Sequence, residues 1–374
     1  MTTSPATTTS PLLERARQLP KVLLHEHLDG GLRVATLLAL LRQRGMAVPA
    51  DDEAGLAAWF DANAHAGSLG KYLEGFALTV AAMASPQAME QVAFEAAEDA
   101  LADGVVLAEF RIAPLLFEAH GVPGEAVVEA LLAGLRRSRL PSGLIVCAMR
   151  HLPESETQRA VSLALKYQGH SGADGSRDGS HEGPRVVGFD LAGPEFGHPP
   201  SQHARALRRV REAGLAITLH AAEADGAERV LEAAELGATR IGHGVHLLDA
   251  LRDPTRRWMV DAVRERGLHL EVCPTSNVHT GAAKSIETHP ITDLWHAGVS
   301  LSYHTDNRLM SCVSLTEEAT ALMTRTTLEE IDLLAMAAEA ARHSFLPPVH
   351  RDAALEAIVL FSAPLLGPLP VLRV

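Results

Sequence analysis

Short apolar runs and amphipathic stretches alternate along this chain. The first run, Val22-Leu23-Leu24, precedes Arg33–Gly45, where Leu37, Leu38, Leu40 and Leu41 recur at helical spacing and predict a buried stripe. Asp51–Phe76 is polar and Ala-rich, with Trp59, Phe60, Tyr72, Leu73 and Phe76 as its large apolar residues. Their spacing predicts packing over one end of a core, with an apolar lid as the alternative. A long helix is expected over Pro86–Ala102, then a β-type run, Val105–Pro114. Helices are predicted over Glu125–Leu140, Glu154–Tyr167, Gln202–Ala213, Glu228–Leu236, Asp253–Arg266 and around Ile291–Ala297. Between them Gly143–Met149, Arg185–Leu191, Leu215–His220, Thr239–Gly244, Leu268–Cys273 and Val299–Thr305 read as strands. Beyond Leu315 the pattern is helical, with Ser314-Leu315-Thr316-Glu317-Glu318 as a helix start.

Eight strand candidates separated by helices imply parallel strands with right-handed crossovers. The expectation is α/β class: a closed (β/α)8 TIM-type barrel, with additional helices after the first strand and at the C-terminus. A doubly wound open sheet is disfavoured, because no Gly-x-Gly-x-x-Gly follows any early strand. Residues 1–20 read as a disordered Ser/Thr/Pro-rich tail and 21–374 as one domain. Within it, residues 169–183 are polar and Gly-rich and read as a mobile surface insertion, whose His170 and His181 are expected to be solvated.

Composition narrows the function. Hydrophobic residues make up 47% and charged residues 21%, as in a folded globular protein. A formal charge of −13 argues against binding a nucleic-acid polymer, so a nucleic-acid-like ligand would be a nucleoside or base. Three cysteines in 374 residues fit a reducing cytoplasm better than a disulfide framework. The N-terminus has no basic start or apolar core of a signal peptide, and no run is long enough for a membrane span.

In a barrel, the carboxyl ends of the strands converge on one mouth. Here those ends are polar. His25 and His27 lie two apart at the end of the first strand, so both rings face one side, about 7 Å apart at Cβ. Among 19 histidines such a pair is weak evidence alone. However, His220 ends the fifth strand, His243 sits between Gly242 and Gly244 in the sixth, and His304-Thr305-Asp306-Asn307 ends the eighth. Three imidazoles and a carboxylate suit one zinc ion, with iron, cobalt or manganese as alternatives. No Pro-Cys-x-x-Cys set is present, and no lysine in the fourth strand offers a bridge to a second metal. A metal-held water becomes a nucleophile near neutral pH. Glu223, three residues after His220, is placed to pass a proton, against the blander role of a helix-starting surface acid. His243 is placed to orient or deprotonate the water, or else is a structural strand-end histidine. Asp306 is placed to ligate the metal and take a proton, or else serves as an N-cap.

Taken in order, HEHLDG (His25–Gly30), LAG (Leu191–Gly193), HAAE (His220–Glu223), RIGHG (Arg240–Gly244), CPTSN (Cys273–Asn277) and HTDN (His304–Asn307) resemble the adenosine deaminase family of the amidohydrolase superfamily, over about Lys21–Leu346. The resemblance implies a mononuclear zinc held by His25, His27, His220 and Asp306. It implies that Glu223 protonates purine N1, that His243 positions the attacking hydroxide, and that Asp306 shares in catalysis. Asp29 would bind the ribose 5′ end, Gly193 purine N3 and Asn307 purine N7, with His27 also bordering the substrate. The implied reaction converts adenosine and 2′-deoxyadenosine to their inosine products plus ammonia. A modified adenosine such as aminodeoxyfutalosine, or adenine, is the alternative substrate; a non-catalytic nucleoside-binding protein is the third reading. The chain departs from the family pattern at Ala222 for glycine, Asn307 for aspartate, Gly31 for serine and His304 for asparagine.

Overall fold

Strands β1 (Lys21–His27), β2 (Val105–Ile112), β3 (Ser142–Met149), β4 (Val186–Ala192), β5 (Ala216–Ala221), β6 (Arg240–His243), β7 (His269–Val272) and β8 (Leu301–Tyr303) pair in sequence order. Every neighbouring pair is parallel. The computed structural model describes residues 10–65, 69–169 and 183–366. The seam between β8 and β1 is closed by residues of the site itself. Asp306 N–H donates to the His25 carbonyl at 3.0 Å, and His27 N–H donates to the Asp306 carbonyl at 2.8 Å. Leu24 N–H donates to His304 Nδ1 at 3.2 Å. The expected (β/α)8 barrel is therefore the observed fold.

Helices cover the outer face, so the strands are buried on both sides and read as nearly unbroken apolar runs. β4, VVGFDLA, is buried along its whole length. The charged residues interrupting these runs, Glu109, Arg111, Asp190, Arg240 and Glu271, are fully buried inside the barrel. The ring helices are set by local chemistry. Ser85 accepts from Ala88 N–H and Pro86 occupies the first turn of Pro86–Ala102. Ser314 and Glu317 form a capping box that starts Leu315–Arg325. The helix Glu330–His343, followed by the last helix Pro348–Leu366, packs outside β1 and β8 and so covers the seam.

The additional helices after β1 are Val34–Gln43, Glu53–Ala64 and Leu69–Ala82. Phe60 is buried in the core with Trp59 edge-on to it at 4.9 Å, as packing requires, and the side chains of Tyr72 and Leu73 lie outside the described residues. The tail expectation needs correction. Pro11–Gln18 is helical, buries Ala16, pairs Arg15 with Glu330 at 2.6 Å and packs on Leu315–Arg325. The Ser/Thr/Pro-rich composition stops short of an amphipathic run, PLLERARQL, whose apolar side finds a partner only in the folded protein. Residues 1–9 of that tail and residues 170–182 of the expected insertion, with His170 and His181, lie outside the described residues. The predicted helix Asp253–Arg266 is shorter, Trp258–Glu265, and is preceded by a helix over Leu247–Arg252 that the pattern did not announce.

Candidate metal centre and active site

The carboxyl ends of β1, β5 and β8 bring four donors together. His25 Nε2 lies 3.1 Å from His220 Nε2, and His27 Nε2 lies 3.3 Å from it. Asp306 Oδ1 is 3.4 Å from His25 Nε2 and 3.5 Å from His27 Nε2. One donor atom from each of the four falls within 4.8 Å of all the others. The period of 2 along β1 places His25 and His27 on one face, as the spacing predicted. Gly242 of β6 makes room: a Cβ there would stand 2.8 Å from His25 Cε1.

A second layer aims these donors. His25 Nδ1 bonds Glu271 at 2.8 Å, and His220 Nδ1 bonds Asp190 at 2.9 Å. A carboxylate accepts only, so each Nδ1 carries the proton and each Nε2 presents a lone pair to the centre. Ser276 donates to Asp306 Oδ2 at 2.6 Å, leaving Oδ1 to face the imidazoles. Arg111 joins Asp190 and Glu271 at 2.8 and 2.6 Å, and Arg240 joins Glu271 and Glu109 at 2.6 and 2.7 Å. Burial pushes Glu271 and Asp306 up, yet neighbouring cations and imidazoles outweigh it. Arg240, Arg111 and His25 hold Glu271 well below the carboxylate range, and His25, His243 and His27 do so for Asp306. Burial together with the neighbouring imidazoles and Arg111 holds His27 well below its ordinary value. Two guanidiniums thus face three carboxylates, Glu109, Asp190 and Glu271, and Asp306 adds a fourth, which leaves two more negative than positive charges among these six groups. A divalent cation fits this donor set in both charge and ligand type.

Glu223 follows β5 and approaches His243, with Oε2 at 3.5 Å from His243 Nε2. Thr280 donates to Glu223 Oε1 at 3.1 Å, and the Asn277 side chain bonds His243 Nδ1 at 3.0 Å. Backbone strain gathers here. Ala222, His243 and Asp306 adopt φ of 54°, 66° and 59°, a region that residues with a Cβ seldom enter outside functional sites.

Asp29, Gly193 and Asn307 border the same mouth. Asp29 lies in a 3-10 turn over Leu28–Gly30, with Oδ1 buried and unpartnered. Burial, with Asp306 adding to it, pushes its carboxyl up to about 7. Gly30 presses on Asn307, where an added Cβ would meet Oδ1 at 2.2 Å. Gly193 turns with φ 92° after β4.

The second layer, Asp190, Glu271, Ser276 and Arg111, carries no role in the sequence reading. The available signal was an acid or arginine inside an otherwise apolar strand, as in GFDLA and LHLEVC. A second cluster, His269, Glu339 and His343, lies at the other end of β7. Its imidazoles are stacked at 13°, 4.6 Å apart, so no single ion lies in both ring planes.

A family model described as adenosine deaminase matches residues 20–360. An adenosine deaminase of Mycobacterium ulcerans is 40% identical over 327 residues, covering 83% of this chain and 86% of the relative. One of Mycobacterium tuberculosis is 38% identical over 368 residues, covering 94% and 96%. Among solved structures, an adenine deaminase from Arthrobacter aurescens superposes with a TM-score of 0.79 at 23% identity, covering 92% of this chain and 99% of that one. The last likeness concerns the fold; the family match and the mycobacterial relatives carry the assignment. On these grounds, the chain belongs to the adenosine deaminase family.

Proposed function

We propose that this protein hydrolytically deaminates adenosine and 2′-deoxyadenosine, with one zinc ion held by His25, His27, His220 and Asp306. The observation that carries the reading is the approach of Glu223 and His243 to within 3.5 Å of each other beside a metal-type donor set. When bound, zinc supplies a Lewis acid that makes water nucleophilic at neutral pH. The chain's residues do the rest. His243, locked by Asn277, orients the water and holds its proton. Glu223 donates a proton to N1 as the water oxygen bonds to C6. The C6–N6 bond then breaks as the proton held by His243 passes to N6, so that ammonia leaves, and the proton of the C6 hydroxyl returns to Glu223 as the 6-oxo product forms.

Zinc is favoured over other ions because imidazole nitrogens and a carboxylate oxygen are ligand types it takes readily, and its catalytic sites keep a position open for water. Asn307 would donate to N7 from its amide, Gly193 would meet N3, and His27 would border the bound purine. Asp29 separates nucleoside from free base: its buried carboxyl seeks a partner such as the 5′-hydroxyl. A purine nucleoside rather than a polymer suits a chain of net charge −13. Three free thiols suit the cytoplasm.

Incubation with zinc and adenosine should release one ammonia per inosine formed, with 2′-deoxyadenosine turned over comparably. Turnover of adenine or a 5′-extended adenosine, with adenosine left intact, would overturn the substrate assignment.

A further inference from the structure

We propose that Glu195 is a positioning residue whose carboxylate holds the loop that presents Glu223; this rests on the proton-donor role proposed for Glu223. Glu195 lies on the loop after β4 and is 5% exposed. Its Oε1 accepts from Ala222 N–H at 2.6 Å. Its Oε2 accepts from the N–H groups of Glu223, Ala224 and Asp225 at 3.0, 2.8 and 3.2 Å. Four successive amides therefore converge on one anion, the backbone nest that binds negative charge, here filled by a side chain of the same protein. Hydrogen bonds to an ionised acceptor are about twice as strong as neutral ones.

The loop needs such a clamp. Ala222 is held at φ 54° with a Cβ, a conformation that glycine enters freely and alanine does not. The Ala222 carbonyl is anchored separately, accepting from His246 N–H at 3.0 Å. Arg150 Nη2 donates to the carbonyls of Leu191 and His220, tying the ends of β4 and β5 beneath the loop. These bonds of the Glu195 carboxylate are all to backbone, so it acts on the chemistry through where it sets Glu223.

The chemistry of the side chain makes a sharp test. Glutamine keeps one acceptor oxygen and turns an NH2 group towards the donors. If its oxygen takes the three-amide position, the bond lost is the one to Ala222, the strained residue. Glycine at 222 needs no such bond.

The experiment compares Glu195→Gln, Glu195→Asp, Glu195→Gln with Ala222→Gly, and Glu223→Gln, all zinc-loaded. It reads metal content, thermal midpoint, kcat and KM for adenosine. Glu195→Gln should keep its metal and KM but lose roughly 10–100-fold in kcat. Adding Ala222→Gly should return part of that kcat. If Glu195→Gln does not fold, Glu195→Asp, which keeps the charge but withdraws it, should show the same kcat-selective loss. Full kcat in a folded, metal-loaded Glu195 variant, or no recovery on adding Ala222→Gly, would overturn the proposal. Near-normal kcat in Glu223→Gln would instead sink the proton-donor assignment and leave a separate mark.

Discussion

His25 Nε2 and His220 Nε2 face each other at 3.1 Å, each with its Nδ1 committed to a buried carboxylate. Two lone pairs held so close repel unless a cation sits between them. The folded state is therefore built to bind an ion, and binding that ion stabilises it.

Metal removal should cost stability as well as activity. With free zinc about 1,000-fold above its dissociation constant, mass action contributes about 4 kcal/mol to the native state. Dialysis against a chelator should lower the thermal midpoint, and zinc should restore it. An unchanged midpoint in fully metal-stripped protein would contradict the site.

Glu223→Gln is nearly isosteric and touches no proposed ligand, so the metal content should stay at one per chain. Loss of the proton donor should lower kcat by about 10²–10⁴-fold. Single-turnover kinetics with adenosine would measure the loss directly; a small effect would mean that another group supplies the proton.

Glu271→Gln replaces the carboxylate that orients His25 and balances Arg111 and Arg240. Second-layer losses of this kind weaken metal affinity or activity by about 10–100-fold. Competition against a chromophoric chelator should show that weakening, with Glu223 unaltered. Wild-type affinity would mean that His25 is oriented by packing alone.

His289 predicts an acid limb in stability. Its Nδ1 accepts from Ile291 N–H at 3.1 Å, capping helix Pro290–His296, so its neutral form is built in. Burial, with His243 adding to it, pushes its pKa down to about 3 from 6.5. Between those values the unfolded chain binds a proton that the native chain refuses, so stability rises with pH. It is fully present above about pH 6.5 and falls as the solution is acidified, by an amount on the order of 5 kcal/mol at most. Burial together with the His343 and Arg240 charges pushes His269 in the same direction. His289→Asn keeps a capping acceptor without a titrating ring. Denaturant melts at several pH values should show a shallower acid limb in that variant; an identical slope would remove His289 as its source.

Strand and helix periodicity are short-range properties, so the sequence by itself determined the eight alternating units. It also set the phase that puts His25, His27, His220 and Asp306 at strand ends. Val105–Pro114 and Gly143–Met149 became strands within a few residues of the expected ends, because an apolar run buried on both faces has few other uses. Pairings between strands were beyond such reading. His25 meets Glu271 across 246 residues, and Glu195 meets the amides of residues 222–225 from another loop. Only closure of the barrel decides which buried charge faces which imidazole, since partners on different strands share no spacing in the chain. The same closure forces Ala222, His243 and Asp306 into left-handed backbone, a strain that local propensity argues against and only the surrounding structure sustains.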